Sequence, residues 1–225
     1  MQLAQYLNEA SATRARIKHK ASHFERLLKR LDALGALLIL MALSPLIAVL
    51  TALLWLSDGA PLIYGHWRVG ANGKLFRCLK FRTMVRNSEQ ALAEVLRTDP
   101  VAREQWEREF KLTSDPRITP IGDFLRRTSL DELPQLINVV RGEMSLVGPR
   151  PITVKELALY GDVRWHYFAV RPGMTGLWQV SGRNNVSYAE RVGLDRRYVE
   201  TRSLRMDLGI LVKTVKVVAT REGAR

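Results

Sequence analysis

A chain of 225 residues with 47% hydrophobic and 25% charged residues can bury one generous core, which excludes collagen-like and wholly disordered classes. Its 35 Lys and Arg against 22 Asp and Glu leave a net charge of +13, so the partners implied are polyanionic: nucleic acid, an anionic membrane face or phosphorylated substrates. Cys78 is the only cysteine, which rules out an internal disulfide and an all-cysteine metal site.

Residues 1–30 place Leu3, Tyr6, Leu7, Ile17, Phe24, Leu27 and Leu28 among many bases. They read as a basic amino-terminal arm, either an amphipathic helix on anionic headgroups or a partly disordered tail. Ala33 to Ser57 is free of charge for 25 residues. As a straight helix it would measure about 37 Å, enough to cross a bilayer core of ~30 Å. It is too long, and too far into the chain, for a cleavable signal peptide. Ser44-Pro45 lies at its midpoint, where proline removes an amide donor. Basic clusters flank both ends, from Arg14 to Arg30 and from Arg68 to Arg86. One crossing would put one cluster on the wrong side, whereas a re-entrant helix-break-helix keeps both on the cytoplasmic face. A plain spanning helix and a buried core helix are the alternatives.

Beyond the membrane segment, Pro61 to Phe81 predicts two short strands around a turn at Asn72-Gly73. From Ser88 the apolar residues recur at helical spacing, and Pro100 divides two helices. Asp115 to Gly122 reads as a turn-rich loop. Lys155–Val170 and Ser187–Thr201 read as helices, and Leu208–Ala219 as a core or interfacial helix. No repeat or linker divides the chain, so residues 31–225 form one domain that includes the membrane segment 33–57. The fold class expected is α+β, helix-rich, with a small β element.

The chemistry concentrates between Arg126 and Pro151. Asp131 and Glu132 open a short apolar helix that Gly142 ends, with Asp131 as its cap or Ser129 and Glu132 as a capping box. Two acids complementing a helix dipole is the bland reading. Arg126, Arg127 and Arg150 nearby supply guanidinium forks for phosphate oxygens. In that setting one carboxylate is a workable nucleophile toward phosphorus, and its neighbour can hold a hard cation such as Mg²⁺. Lys80 and Arg82 follow a predicted strand, as a substrate-facing pair or as protective charges on an exposed edge. Arg171 and Arg183 bracket Trp178 in a Gly- and Pro-rich stretch that is either a packed loop or a binding element. No Walker A loop, dinucleotide fingerprint, zinc signature or nucleic-acid motif accompanies these bases, so nucleic acid is not an expected partner.

Taken together, KFRTM at Lys80, LDELPQLINVVRGEMSLVGPRP from Leu130, RPGMTGLWQVSGRN from Arg171 and the Ser44-Pro45 segment resemble the bacterial sugar transferases. More narrowly, the chain resembles the monotopic polyprenyl-phosphate phosphoglycosyltransferases of the small exopolysaccharide-initiating type. The likeness runs from about Leu31 to Ala219 and leaves the first 30 residues aside.

This resemblance implies transfer of a hexose 1-phosphate from a UDP-sugar to undecaprenyl phosphate, with release of UMP. It makes Asp131 the nucleophile that forms a covalent phosphosugar intermediate, and Glu132 the Mg²⁺ ligand. Lys80, Arg126, Arg150 and Arg183 become substrate-binding positions, with Asp207 a further acidic one; Arg82 joins them from its own place at the strand end beside Lys80. It also implies the cytoplasmic face of a bacterial inner membrane, with membrane lipids as partners and homo-oligomerisation left open. A basic membrane-bound scaffold without catalysis is the competing reading; it has no use for Asp131 beside Glu132.

Overall fold

The computed structural model describes residues 23–109, 112–182 and 186–220, so most of the basic arm and Arg183 lie outside the described residues. The architecture is α+β and helix-rich, with two small two-stranded sheets.

Helix α1, His23–Asp58, carries the apolar stretch through 36 residues with Pro45 inside it. The break expected at Ser44-Pro45 does not end the helix. Proline at position 45 removes only the N–H that would reach the Met41 carbonyl. The Ser44 hydroxyl donates to that same carbonyl at 2.8 Å. A hydroxyl thus replaces the missing amide where an orphaned carbonyl in apolar surroundings would cost several kcal/mol.

The face of α1 turned inward is a narrow stripe of Leu28, Asp32, Ala36, Leu50 and Leu54, joined by the partly buried Leu40 and Ile47. Leu34, Leu37, Leu38, Met41, Val49, Leu53, Trp55 and Leu56 point outward and are exposed. With an 18-residue stretch of mean hydropathy 2.7, α1 is the one helix among the described residues long and apolar enough to cross a membrane. An uncovered apolar surface of this extent marks a membrane-associating face.

Strands β1 (Ile63–Val69) and β2 (Leu75–Phe81) form the expected hairpin, antiparallel with Tyr64 opposite Lys80. Helices α2 (Ser88–Thr98) and α3 (Pro100–Glu109) divide at Pro100 as expected. The loop expected at 115–122 ends earlier, because Thr119 accepts from the Gly122 N–H and caps α4 (Pro120–Thr128). Gly122 has to be glycine: a Cβ there would collide with the Thr83 carbonyl, so the first turn of α4 lies directly on the end of β2.

The helix expected to begin at Asp131 and Glu132 is divided. Ser129 adopts a left-handed conformation (φ 58°) that closes α4, and its side chain caps neither α4 nor the next turn. Leu130–Glu132 is a separate 3₁₀ turn, and α5 (Gln135–Val140) starts only after Pro134. Gly142, at φ 73°, ends that segment as expected.

Two three-residue strands, β3 (Ser145–Val147) and β4 (Gly173–Thr175), pair in parallel; β4 lies in the stretch read from sequence as a packed loop or binding element, and β3 in a segment to which the sequence assigns no element. Between them the helix expected at 155–170 splits into α6 (Val154–Leu157), a 3₁₀ stretch interrupted at Gly161, and α7 (Arg164–Ala169). Helices α8 (Tyr188–Thr201) and α9 (Leu204–Thr220) complete the described residues, with α8 opened by a Ser187–Glu190 capping box. One apolar cluster joins Ala36 of α1 to Phe76, Cys78, Leu136, Val139 and Met144. A second joins Leu50 and Leu54 to Phe81 and Leu125. Both halves of α1 therefore rest on the same body.

Candidate active site

The site is assembled where β2, the 3₁₀ turn and the segment after β3 converge. Asn138 of α5, wholly buried, lies against the edge of β2 that β1 does not pair. Its Oδ1 accepts the Leu79 N–H at 3.0 Å, and its Nδ2 donates to the Arg77 carbonyl at 2.8 Å. This fixes the next residue, Lys80, over the 3₁₀ turn. The Lys80 ammonium donates to Glu132 Oε1 at 2.6 Å and to Asp131 Oδ2 at 3.3 Å.

Asp131 is buried and Glu132 partly buried. Burial raises the Asp131 carboxyl above its ordinary range; Lys80 opposes the shift and the Glu132 charge adds to it. Burial also works against the Lys80 ammonium, yet Glu132 and Asp131 together lift it above its ordinary value. One cation thus serves two adjacent carboxylates.

Arg150 stands between Pro149 and Pro151, on a segment that bonds to β4 through the Pro149 carbonyl and to β1 through the Ile152 carbonyl. Its Nη2 lies 3.8 Å from Glu132 Oε1, and its guanidinium is 5.7 Å from the Trp178 ring. Arg126 projects from α4, with Nε donating to Thr83 Oγ1 at 2.9 Å. Burial lowers its pKa, and Asp131 is the leading charge opposing that shift. Lys80, Arg126, Arg150 and the two carboxylates are therefore brought together.

Other expected residues lie elsewhere. Arg82 is buried, and its Nη2 donates to the Asp58 and Gly59 carbonyls at 2.8 and 2.7 Å. It closes the C-terminal end of α1, where a cation suits the helix dipole. Asp207 accepts from the Tyr198 hydroxyl at 2.8 Å and lies 4.0 Å from Arg202, which also binds Glu25 of α1. Arg171 likewise serves α1, as its Nη2 meets buried Asp32 at 2.8 Å. Ser44 and Pro45 sit in the outward-facing middle of α1.

A shallow, half-open pocket lies beside Glu132, lined by Arg68, Cys78, Lys80, Gln135, Arg150, Pro151 and Met174. By sequence Arg68 is only one member of a basic flank; its place just before the hairpin turn is the one signal that sets it apart. Among the described residues no three His, Cys, Asp or Glu side chains gather as a metal cage. Two adjacent carboxylates beside a pocket fit Mg²⁺, which commonly takes one or two carboxylates together with phosphate and water oxygens.

The family model for bacterial sugar transferases matches residues 24–221. The UDP-galactose-lipid carrier transferase of Erwinia amylovora is 60% identical over 206 residues, covering 91% of this chain and 43% of the relative. The undecaprenyl-phosphate galactose phosphotransferase of Salmonella typhimurium is 54% identical over 208 residues, covering 91% and 43%. The exopolysaccharide production protein ExoY of Sinorhizobium fredii is 51% identical over 193 residues, covering 86% and 85%. The chain thus spans less than half of the first two relatives and most of the third. With a match over nearly its whole described length, and a buried Asp-Glu pair set against lysine and arginines, the chain belongs to the bacterial sugar transferase family.

Proposed function

We propose that this protein transfers a hexose 1-phosphate, galactose 1-phosphate first among the candidates, from a UDP-sugar to undecaprenyl phosphate as the opening membrane step of exopolysaccharide synthesis. The names of two relatives motivate the galactose assignment. The observation that carries the chemistry is Asp131, buried beside Lys80 and Arg126 and adjacent in sequence to Glu132, which lines a cationic pocket.

In this reading an Asp131 carboxylate oxygen bonds to the β-phosphorus of the UDP-sugar. The bond from that phosphorus to the oxygen bridging it to the α-phosphate breaks, and UMP leaves with the bridging oxygen. A phosphate oxygen of undecaprenyl phosphate then displaces the aspartyl oxygen, which gives the diphosphate-linked lipid sugar and regenerates the carboxylate. Lys80 and Arg126 keep Asp131 anionic, while Arg150 meets the negative charge that gathers on phosphate oxygens. Glu132 would hold Mg²⁺, which supplies Lewis-acid polarisation of those oxygens when bound.

The reading places this reaction on the cytoplasmic face of the bacterial inner membrane, with the exposed apolar face of α1 immersed in lipid and both of its ends kept on that one side. The support is that both ends of the uncharged stretch are tied to one body: Asp32 to Ser145 and Arg171, and the Asp58 carbonyl to Arg82. A spanning helix would hold those two ends on opposite sides of the bilayer.

The test uses purified full-length protein in lipid, Mg²⁺ and a panel of UDP-sugars without lipid acceptor. UMP should appear as a burst of up to one per site, with a sugar-phosphate adduct on Asp131 by intact-protein mass spectrometry. Asp131→Asn should abolish both. Turnover that needs the lipid acceptor before any UMP appears, with no adduct, would remove Asp131 as nucleophile.

A further inference from the structure

Three cations line the pocket against one carboxylate, Glu132. Lys80 is already committed to the acidic pair, at 2.6 and 3.3 Å. Arg68 pairs with Glu156 behind the pocket, and Arg150 reaches Glu132 only at 3.8 Å. Burial lowers the Arg68 pKa; Glu156 opposes that shift and the charge of Arg150 adds to it, so the two guanidiniums repel each other across the site. Like charges gathered in a concave pocket are relieved by an anion arriving between them.

Each arginine is held from behind by a separate element. Arg68 Nη1 lies 3.1 Å from Glu156 Oε2, and that carboxylate is itself fixed by the Thr153 N–H at 2.8 Å within a capping box. Arg150 stacks on Trp178. Buried Arg191 of α8 touches both supports: its Nη1 lies 3.5 Å from Glu156 Oε1, and its guanidinium is 4.7 Å from the Trp178 ring. The Tyr188 ring, 5.0 Å from that guanidinium, packs against it as well. Arg68, Glu156, Arg191, Trp178 and Arg150 thus form one connected brace whose two ends open into the pocket.

We propose that Arg68 and Arg150 are the paired arms of a clamp for a diphosphate, one guanidinium to each phosphate, and that Arg191 is the positioning residue setting their separation. This deepens the transfer reading and rests on it for the identity of the diphosphate as that of the nucleotide sugar. Guanidinium forks suit phosphate because two N–H groups meet two oxygens in one plane, and a rigid brace preserves that geometry. Arg191 touches no substrate; it acts through Glu156 and Trp178.

UDP is the probe, titrated by calorimetry against the full-length protein in lipid nanodiscs with Mg²⁺, and uridine is the control. Arg68→Gln should weaken UDP at least tenfold while leaving uridine affinity unchanged. Arg68→Lys retains the charge beside Glu156 but not the fork, and should fall between. Arg191→Met should weaken UDP in the same selective way. Adding Arg68→Gln to it should cost less than Arg68→Gln costs alone, because the arm is already displaced.

Wild-type UDP affinity in Arg68→Gln would overturn the clamp; should that variant fail to fold, wild-type affinity in Arg68→Lys would do the same. Equal losses for UDP and uridine in Arg191→Met would reduce that residue to general support and overturn its positioning role. A protein whose UDP binding depends on Arg68, yet which releases UMP from no UDP-sugar, would keep the clamp and refute the transfer reading. A wild-type protein that binds no UDP would overturn both.

Discussion

The side-chain amide of Asn138 meets the backbone of Leu79 as a neighbouring strand would, with Oδ1 3.0 Å from its nitrogen. The same amide donates to Arg77 and to Glu143. Asn138→Leu keeps the volume but orphans all three partners, each at about 1–3 kcal/mol. We expect a marked fall in thermal unfolding temperature, and a loss of UMP release that persists at temperatures where the variant is still folded, since Lys80 is adjacent to the released strand position. Unchanged turnover in the folded variant would detach Lys80 placement from Asn138.

The raised pKa of Asp131 sets the acid side of the pH profile. A carboxylate nucleophile is lost as pH falls through its folded pKa, so the midpoint of the decline in UMP release should lie above the ordinary aspartate value of ~3.9. Lys80→Met removes the leading opposing charge, and the midpoint should then move to still higher pH. Lys80→Arg should leave it near the wild-type position. Burst amplitudes from about pH 3.5 to about pH 8, bracketing the ordinary aspartate value of ~3.9, measure all three.

Ser44 and Pro45 should behave as a coupled pair. Ser44→Ala leaves the Met41 carbonyl without the hydroxyl donor and should lower stability in lipid. Adding Pro45→Leu returns an amide N–H to that carbonyl and should recover much of the loss, a sign of coupling that independent sites do not show. Pro45→Leu alone should favour a straighter helix. Labelling of single cysteines near residues 10 and 222, in a Cys78→Ser background, reads the topology: reagent confined to one side should reach both in the wild-type arrangement.

Asp195 is buried, accepts from the Tyr160 hydroxyl at 2.7 Å and has its carboxyl pushed up to about 6 by burial. A folded pKa above the unfolded value means the proton binds the native state more tightly. The native state is therefore penalised progressively as pH rises from the unfolded value of ~3.9 to about 6, by roughly 3 kcal/mol once the group is charged in both states. Asp195→Asn should raise the unfolding temperature relative to wild type fully at about pH 8, by about half as much at about pH 5, and hardly at all below about pH 4. A difference that does not grow with pH would mean the carboxylate is compensated in the fold.

Local punctuation is readable in the sequence, and distant pairing is not. Asn72-Gly73, Pro100 and Gly142 each act on the backbone at their own position, and the hairpin, the divided helices and the helix stop come directly from them. Strands β3 and β4 have three residues each, too few for periodicity, and Ser145 finds Gly173 only through the tertiary fold. Ser129 fits a capping box by sequence, but closing α4 in a left-handed conformation takes it out of that role. The acidic pair is legible because adjacent carboxylates among arginines are unusual in an ordinary helix start. Arg82 is placed elsewhere for the opposite reason: a cation beside Lys80 gives no sign of which element it will face, and the helix end it caps is 24 residues away in sequence. Arg68 is one flank charge among several until the pocket gathers it with Lys80 and Arg150.

The pairing of Asp32 with Arg171 has a consequence for the order in which the protein is made. The two residues are separated by 139 positions, and Ser145, the other partner of the carboxylate, is also synthesised long after α1. At about 5–20 residues per second the ribosome needs on the order of ten seconds to supply Arg171. During that interval a charged residue stands at the edge of an apolar helix with its eventual partners still unmade. Docking of α1 on the rest of the protein is therefore incomplete as a folding event until the nascent chain delivers β3 and the loop before β4. Truncation before Arg171 leaves the Asp32 carboxylate without its guanidinium, so the seating of the first helix is settled by residues translated more than a hundred positions later.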